Sequence, residues 1–195
     1  MKTPLLVVGI GTSAGGLKVL KQLFTAVPKN SGCAYLVVQH LDPNHKSILR
    51  DLLAISSNIE VIECSQQQTL APDKAYIIPP GLYIEVENDV VQVREPKEPH
   101  GFRIPVDYLF SSMAACYGKR AVGVILTGSG TDGTAGLRAI RAAGGLAIVQ
   151  DPDSAEYPGM PYSAIKAGVV DRVVEIADIP AIVGSLDIVM GEIDR

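Results

Sequence analysis

The chain has 195 residues, 47% of them hydrophobic and 19% charged, a globular composition with enough apolar mass for one sizeable domain spanning residues 1–195 and no case for disorder. Its 17 Lys and Arg against 21 Asp and Glu leave a net charge of −4, which removes the electrostatic basis for broad binding to nucleic acid or to anionic membranes. No apolar run approaches the ~20 residues of a bilayer span, Met1-Lys2-Thr3-Pro4 lacks the cleavage pattern of a secretory leader, and the scattered Cys33, Cys64 and Cys116 read as reduced core thiols of a cytoplasmic protein.

The first apolar run predicts a strand over about Leu5 to Ile10. Gly11-Thr12-Ser13-Ala14-Gly15 then forms a sharp turn into a helix starting near Gly16, with Leu17, Leu20, Leu23 and Phe24 on one stripe. Pro28, Asn30 and Gly32 end it, and Ala34 to Val38 is a second, continuously apolar strand suited to a doubly covered parallel sheet. It finishes in Gln39-His40-Leu41-Asp42-Pro43. A second helix is expected from about Lys46 to Ile55, capped by Asn44 or Asp42, and a short strand over Ile59 to Cys64. After a polar stretch of three glutamines come Ala75 to Ile78 and the turn Pro79-Pro80-Gly81. Leu82 to Glu87 and Val90 to Arg94 alternate around Asn88-Asp89, a hairpin signal.

Glu95 to Pro105 reads as a proline-rich loop, Asp107 to Tyr117 as helix and Ala121 to Leu126 as a buried strand. That strand ends in a second glycine-rich loop, Thr127 to Gly133. Helix Ala135 to Ala143, strand Leu146 to Val149, an acidic loop Asp151 to Pro161 and a short helix Ser163 to Ala167 follow, then a strand Val169 to Val174 and a closing helix Ile179 to Met190. Strands alternating with helices throughout predict an α/β fold: a three-layer, doubly wound, mainly parallel sheet with a small β-hairpin insertion.

Three polar residues stand out by position. Ser13 follows the first strand, His40 caps the second, and Asp132 lies in the loop after Ala121 to Leu126. All three therefore fall at carboxyl ends of parallel strands, the edge at which open α/β sheets bind ligands. If the later strand flanks the first opposite the second, the three side chains meet. A serine on a strand-to-helix turn sits beside unpaired helix N–H groups that favour negative charge. With a histidine to take its proton and an aspartate to orient the ring, it has the parts of a hydrolytic triad. Backbone N–H groups of Ala14 and of Gly128, Ser129 and Gly130 are the candidate oxyanion donors.

Other readings compete for these residues. Gly9-Ile10-Gly11-Thr12-Ser13-Ala14 also matches a dinucleotide fingerprint. That motif wants an acidic residue at the end of the second strand, where Gln39-His40 stands. No Gly-Lys-Ser/Thr follows either glycine-rich loop, as a phosphate-binding P-loop requires, and the order Ser, His, Asp differs from that of the α/β-hydrolases. His45 and His100 read as surface residues, and Asp151, Asp153 and Glu156 as a solvated loop with no metal. A non-catalytic docking domain and a nucleotide-binding module remain the alternatives to a hydrolase.

The motifs Gly9-Ile10-Gly11-Thr12-Ser13-Ala14-Gly15-Gly16, Val37-Val38-Gln39-His40-Leu41, Tyr76-Ile77-Ile78-Pro79-Pro80, Thr127-Gly128-Ser129-Gly130-Thr131-Asp132-Gly133 and Gly159-Met160-Pro161 occur in one order. Together they resemble the catalytic domain of the chemotaxis-receptor methylesterases (CheB type). The resemblance implies a Ser13–His40–Asp132 triad that hydrolyses γ-glutamyl methyl esters of methylated chemoreceptors in the cytoplasm, releasing methanol, with no cofactor. Some members also deamidate receptor glutamines. Ala14 stands where the family has threonine, Ser129 where it often has methionine, and Tyr162 where it mostly has arginine; these departures bear on substrate and rate. The catalytic pattern starts at Leu5, so the inhibitory receiver domain that usually precedes it is expected to be absent. Thr12 to Leu17, Gln39 to Pro43 and Gly144-Gly145-Leu146 are most similar to the methylesterase portion of fused methylesterase–methyltransferase proteins, which implies fused or associated methyltransferase and sensor domains.

Overall fold

The structure is a computed structural model and describes residues 5–40, 48–96 and 103–193, with backbone alone from 187 onward. Its strands are β1 (Leu6–Thr12), β2 (Cys33–Gln39), β3 (Glu60–Glu63), β4 (Gln67–Thr69), β5 (Lys74–Ile77), β6 (Tyr83–Glu87), β7 (Val90–Arg94), β8 (Ala121–Ile125), β9 (Leu146–Gln150) and β10 (Arg172–Val174). Its helices are α1 (Gly16–Ala26), α2 (Leu49–Ser56), α3 (Pro105–Tyr117), α4 (Thr134–Ala142), α5 (Gly159–Lys166) and α6 (Ile179–Ile193). A seven-stranded sheet runs in the order β10-β9-β8-β1-β2-β5-β3, every pairing parallel. A separate three-stranded sheet, β4-β7-β6, is antiparallel.

The strand period of two divides the core. Leu6, Val8 and Ile10 of β1 join Val122 and Val124 of β8 on the face covered by α1 and α2. Val7 joins Ala121 and Ile125 on the face covered by α3, α4 and α5. Helices thus lie on both faces, the expected three layers. Among the described residues no helix is long and apolar enough to cross a membrane.

β1 is central, with β2 on one side and β8 on the other. The chain's later strands are laid down in the opposite direction from the earlier ones, so a crevice opens above the carboxyl ends at this point. On the α3 face β1 carries Gly9 and Gly11, and the reason is close packing. A Cβ at Gly11 would lie 2.4 Å from Val106 Cγ1, and one at Gly9 would lie 2.5 Å from Met113 Sδ. These two glycines serve the approach of α3 inside the strand, not a phosphate-binding turn. Their bareness brings the first turn of α3 down onto the carboxyl edge of the sheet.

Several expected boundaries move. β1 runs on to Thr12, so the turn holds only Ser13, Ala14 and Gly15. The polar glutamine stretch contains a strand, β4, paired to β7; it shows no apolar alternation because Gln67 and Thr69 are exposed. β5 slots between β2 and β3, against chain order. The acidic loop ends early: α5 begins at Gly159 with Pro161 in its first turn, where a missing N–H costs nothing because no intrahelical acceptor awaits it. Pro105 likewise opens α3 instead of closing a loop. Asn88 and Asp89 have φ of 51° and 61°, the left-handed pair of a two-residue hairpin turn. The expected caps Asn44 and Asp42, and His45 and His100, lie outside the described residues.

Candidate active site

Ser13 is the first residue beyond β1. Its backbone N–H donates to the Thr127 carbonyl at 3.0 Å, and its own carbonyl accepts the Gly16 N–H at 3.1 Å. Gly15, with φ of 76°, makes the reversal into α1 that a side chain would strain. Beneath the turn lies a buried polar knot. Thr12 Oγ1 donates to the Thr127 carbonyl at 2.7 Å, and the Thr127 N–H donates to Gln150 Oε1 at 2.9 Å. Thr127 Oγ1 accepts the Tyr157 N–H at 2.9 Å and donates to the Ala14 carbonyl at 3.2 Å. Thr12, Thr127 and Gln150 are each fully buried, so every one of these groups needs the partner it has. The knot joins the ends of β1, β8 and β9 to the loop before α5.

His40 follows β2 directly. Because Thr12 and Gln39 are register partners, Ser13 and His40 are the next positions on adjacent parallel strands. The His40 N–H donates to the Thr12 carbonyl at 3.1 Å. Its ring turns toward the β8 side, where Nε2 lies 2.7 Å from Asp132 Oδ2. The ring is 28% exposed and the carboxylate 6%. Since a carboxylate accepts, Nε2 carries the hydrogen, which leaves the lone pair of a neutral ring on Nδ1. Among the described residues the Ser13 hydroxyl makes no hydrogen bond to this ring. Both backbones are already pinned, so their separation is set by side-chain torsions.

Asp132 is held from below by a helix end. Its Oδ2 also accepts the Val106 N–H at 3.0 Å, and Oδ1 accepts the Asp107 N–H at 2.9 Å. These are first-turn amides of α3, which have no acceptor within their own helix. The buried carboxylate is thereby fully hydrogen-bonded and lies at the positive end of a helix. The adjacent Asp107 carboxyl is pushed above its ordinary range, first by burial and then by the charge of Asp132, against the pull of the amides of Gly136 and Ala135 in α4 and of Gly133 just before it.

Of the four candidate oxyanion donors, one is already committed: the Gly128 N–H donates to the Tyr157 carbonyl at 2.8 Å. That corrects its assignment, because an amide engaged within the protein is not aimed at a substrate. The N–H groups of Ala14, Ser129 and Gly130 have no acceptor among the described residues. Gly128 is nonetheless tightly placed, since a Cβ there would lie 2.9 Å from Ser13 Cβ. Over the turn, the Tyr157 ring and Glu156 Oε2 lie within 3.3 and 3.4 Å of where a Gly15 Cβ would be. Tyr162, on α5, is 53% exposed. Asp151 Oδ1 accepts the Asp153 N–H at 2.9 Å, an ordinary turn contact. Among the described residues no three His, Cys, Asp or Glu side chains gather as a metal site would require.

Motif reading gives Thr127, Gln150 and Asp107 no role in the site, although Thr127 opens one of the quoted motifs. Gln150 had a signal, an amide ending an otherwise apolar strand, as did Thr12. Asp107 looked like any acid in a helix's first turn, and only the crossing of α3 with α4 gives it a partner.

The model of the CheB methylesterase family matches residues 8–183. A protein from Moorella thermoacetica named protein-glutamate methylesterase/protein-glutamine glutaminase is 41% identical over 183 residues, which are 91% of this chain and 43% of that protein. A Leptospira interrogans relative is 34% identical over 179 residues, 91% of this chain and 93% of its own length. The chain therefore spans less than half of one such relative and nearly all of another. The crystal structure of the Thermotoga maritima CheB methylesterase catalytic domain superposes with a TM-score of 0.86 at 30% identity, covering 94% of this chain and 99% of that one. By sequence across most of its length and by the course of its backbone, the chain belongs to the CheB methylesterase family.

Proposed function

We propose that this chain is a single catalytic unit that hydrolyses γ-glutamyl methyl esters in a protein, with Ser13 as nucleophile, His40 as base and Asp132 as the residue that orients the ring. The observation that carries the reading is the 2.7 Å contact between His40 Nε2 and an Asp132 carboxylate anchored by α3, one strand over from a serine on a tight turn. Ser13 Oγ attacks the ester carbonyl and its proton passes to His40 Nδ1. Asp132 stabilises the imidazolium through Nε2–H. The oxyanion is met by the free N–H groups of Ala14, Ser129 and Gly130. The imidazolium gives its proton to the departing methoxide, and methanol leaves. Water, deprotonated by the same ring, then splits the acyl-enzyme and restores serine and glutamate. With glutamine as substrate, the same steps release ammonia.

The substrate class follows from the family: a methylated chemoreceptor or similar sensor protein, met in the cytoplasm. Coverage of only 43% of the Moorella relative supports a setting in which methyltransferase or sensor domains are fused to, or associated with, this unit. The test is methanol release from a methylated receptor fragment by wild type and Ser13→Ala. Loss of about 10³- to 10⁴-fold in turnover is expected. Equal turnover in both would remove Ser13 as nucleophile, and binding without turnover would leave a docking domain.

A further inference from the structure

Helices α3 and α4 lack caps of their own: neither Ile104, before α3, nor Gly133, before α4, makes a side-chain cap. Each helix is capped instead by an aspartate of the other. Asp132, two residues before α4, accepts the Val106 and Asp107 N–H groups of α3. Asp107, in the first turn of α3, accepts the Gly136 N–H of α4 at 2.7 Å. The exchange works because the helices cross at their first turns. A Cβ at Gly136 would lie 2.5 Å from Phe110 Cβ and 3.1 Å from Asp107 Cα, so a short aspartate spans the gap.

We infer that Asp107 is a positioning residue for the hydrolytic site: it fixes the start of α4, and with it Asp132, so that His40 is oriented and its imidazolium stabilised. The inference rests on the hydrolase reading above. Gly133, with φ of 93°, is the one residue between Asp132 and α4, so the direction of Asp132 depends on where α4 starts. Asp107 holds the α4 amides, and the α4 end holds it in return. Asp107 and Asp132 thus meet at one helix crossing, and His40 bonds the second of them.

The test is methanol release by wild type, Asp107→Ala, Asp107→Asn and Ser13→Ala, with kcat and KM separated and melting temperatures alongside. Asp107→Ala is expected to lower kcat about 10-fold or more, with KM changed less than about threefold, because an interaction that orients the base acts on the transition state. Asp107→Asn keeps an acceptor for Gly136 and recovers most of kcat. Wild-type kcat in Asp107→Ala overturns the inference, as does an Asp107→Asn no faster than Asp107→Ala. Should Asp107→Ala fail to fold, Asp107→Ser, whose shorter hydroxyl loses the reach to Gly136, takes its place with the same expected outcome. Undiminished activity in Ser13→Ala fells the hydrolase reading itself, a different failure.

Discussion

The Thr127 carbonyl accepts the backbone N–H of Ser13 at 3.0 Å, while the Thr127 hydroxyl serves Tyr157 and Ala14. One buried threonine thus sets the height of the serine turn and ties it to the loop before α5. Thr127→Val keeps the shape and removes the hydroxyl, leaving the Tyr157 N–H without its acceptor. A buried donor orphaned in this way costs about 1–3 kcal/mol. A lower melting temperature and reduced turnover are expected, with Thr127→Ser recovering most of both. Unchanged kcat in Thr127→Val would detach the knot from the chemistry.

The β1 glycines make a graded prediction. A Gly11 Cβ would meet Val106 Cγ1 at 2.4 Å and Cγ2 at 2.9 Å, both on a stiff, β-branched side chain at the start of α3. Gly9 faces the mobile end of Met113, with the Phe110 ring at 2.8 Å. Overpacking of this kind costs about 1–3 kcal/mol. Gly11→Ala is therefore expected to destabilise more than Gly9→Ala in denaturant melts. It should also lower kcat, because displacing Val106 displaces the amide that holds Asp132. Equal effects from the two substitutions would count against this role for α3.

A histidine base must be neutral to accept the serine proton. On the acid side, kcat/KM is expected to fall about tenfold per pH unit once the ring is protonated. Initial rates of methanol release with chemistry rate-limiting measure this. A flat profile from pH 5 to 8 would exclude the imidazole as base.

Asp107 also leaves a trace in stability. Its carboxyl is pushed up in the folded protein, first by burial, so the folded state holds that proton more tightly than the unfolded chain does. The stability it contributes is complete below the ordinary aspartate value of about 3.9, and is lost as pH rises through the elevated folded value. Asp107→Asn carries no such loss. Its melting temperature relative to wild type should therefore rise between pH 3 and pH 7. Parallel melting curves across that range would show the carboxyl to be unperturbed.

The sheet was legible because parallel strands buried on both faces read as unbroken apolar runs, as in Tyr35-Leu36-Val37-Val38 and Ala121 to Ile125. The positions of Ser13, His40 and Asp132 followed from that reading, since each comes directly after such a run or in the loop that follows it. What escaped was whatever depends on a partner distant in sequence. β4 is a strand only because β7 lies beside it, and β5 enters between β2 and β3 by a crossover that no local pattern encodes. The capping of α3 by Asp132 is equally non-local. Gly9 and Gly11 misled in an instructive way: the spacing that suggests a nucleotide site is here a clearance for Val106, Phe110 and Met113.

The central place of β1 has a consequence for how the polypeptide is made. Thr12 finds its partner Thr127 only 115 positions later, and until β8 emerges one flank of β1 has no neighbour. Pairings so remote slow folding, and an uncovered flank invites association with other chains. Ribosomal products that stop short of Ala121 would present this bare, glycine-bearing ribbon to the cell, so premature termination should yield aggregates rather than weakened enzyme.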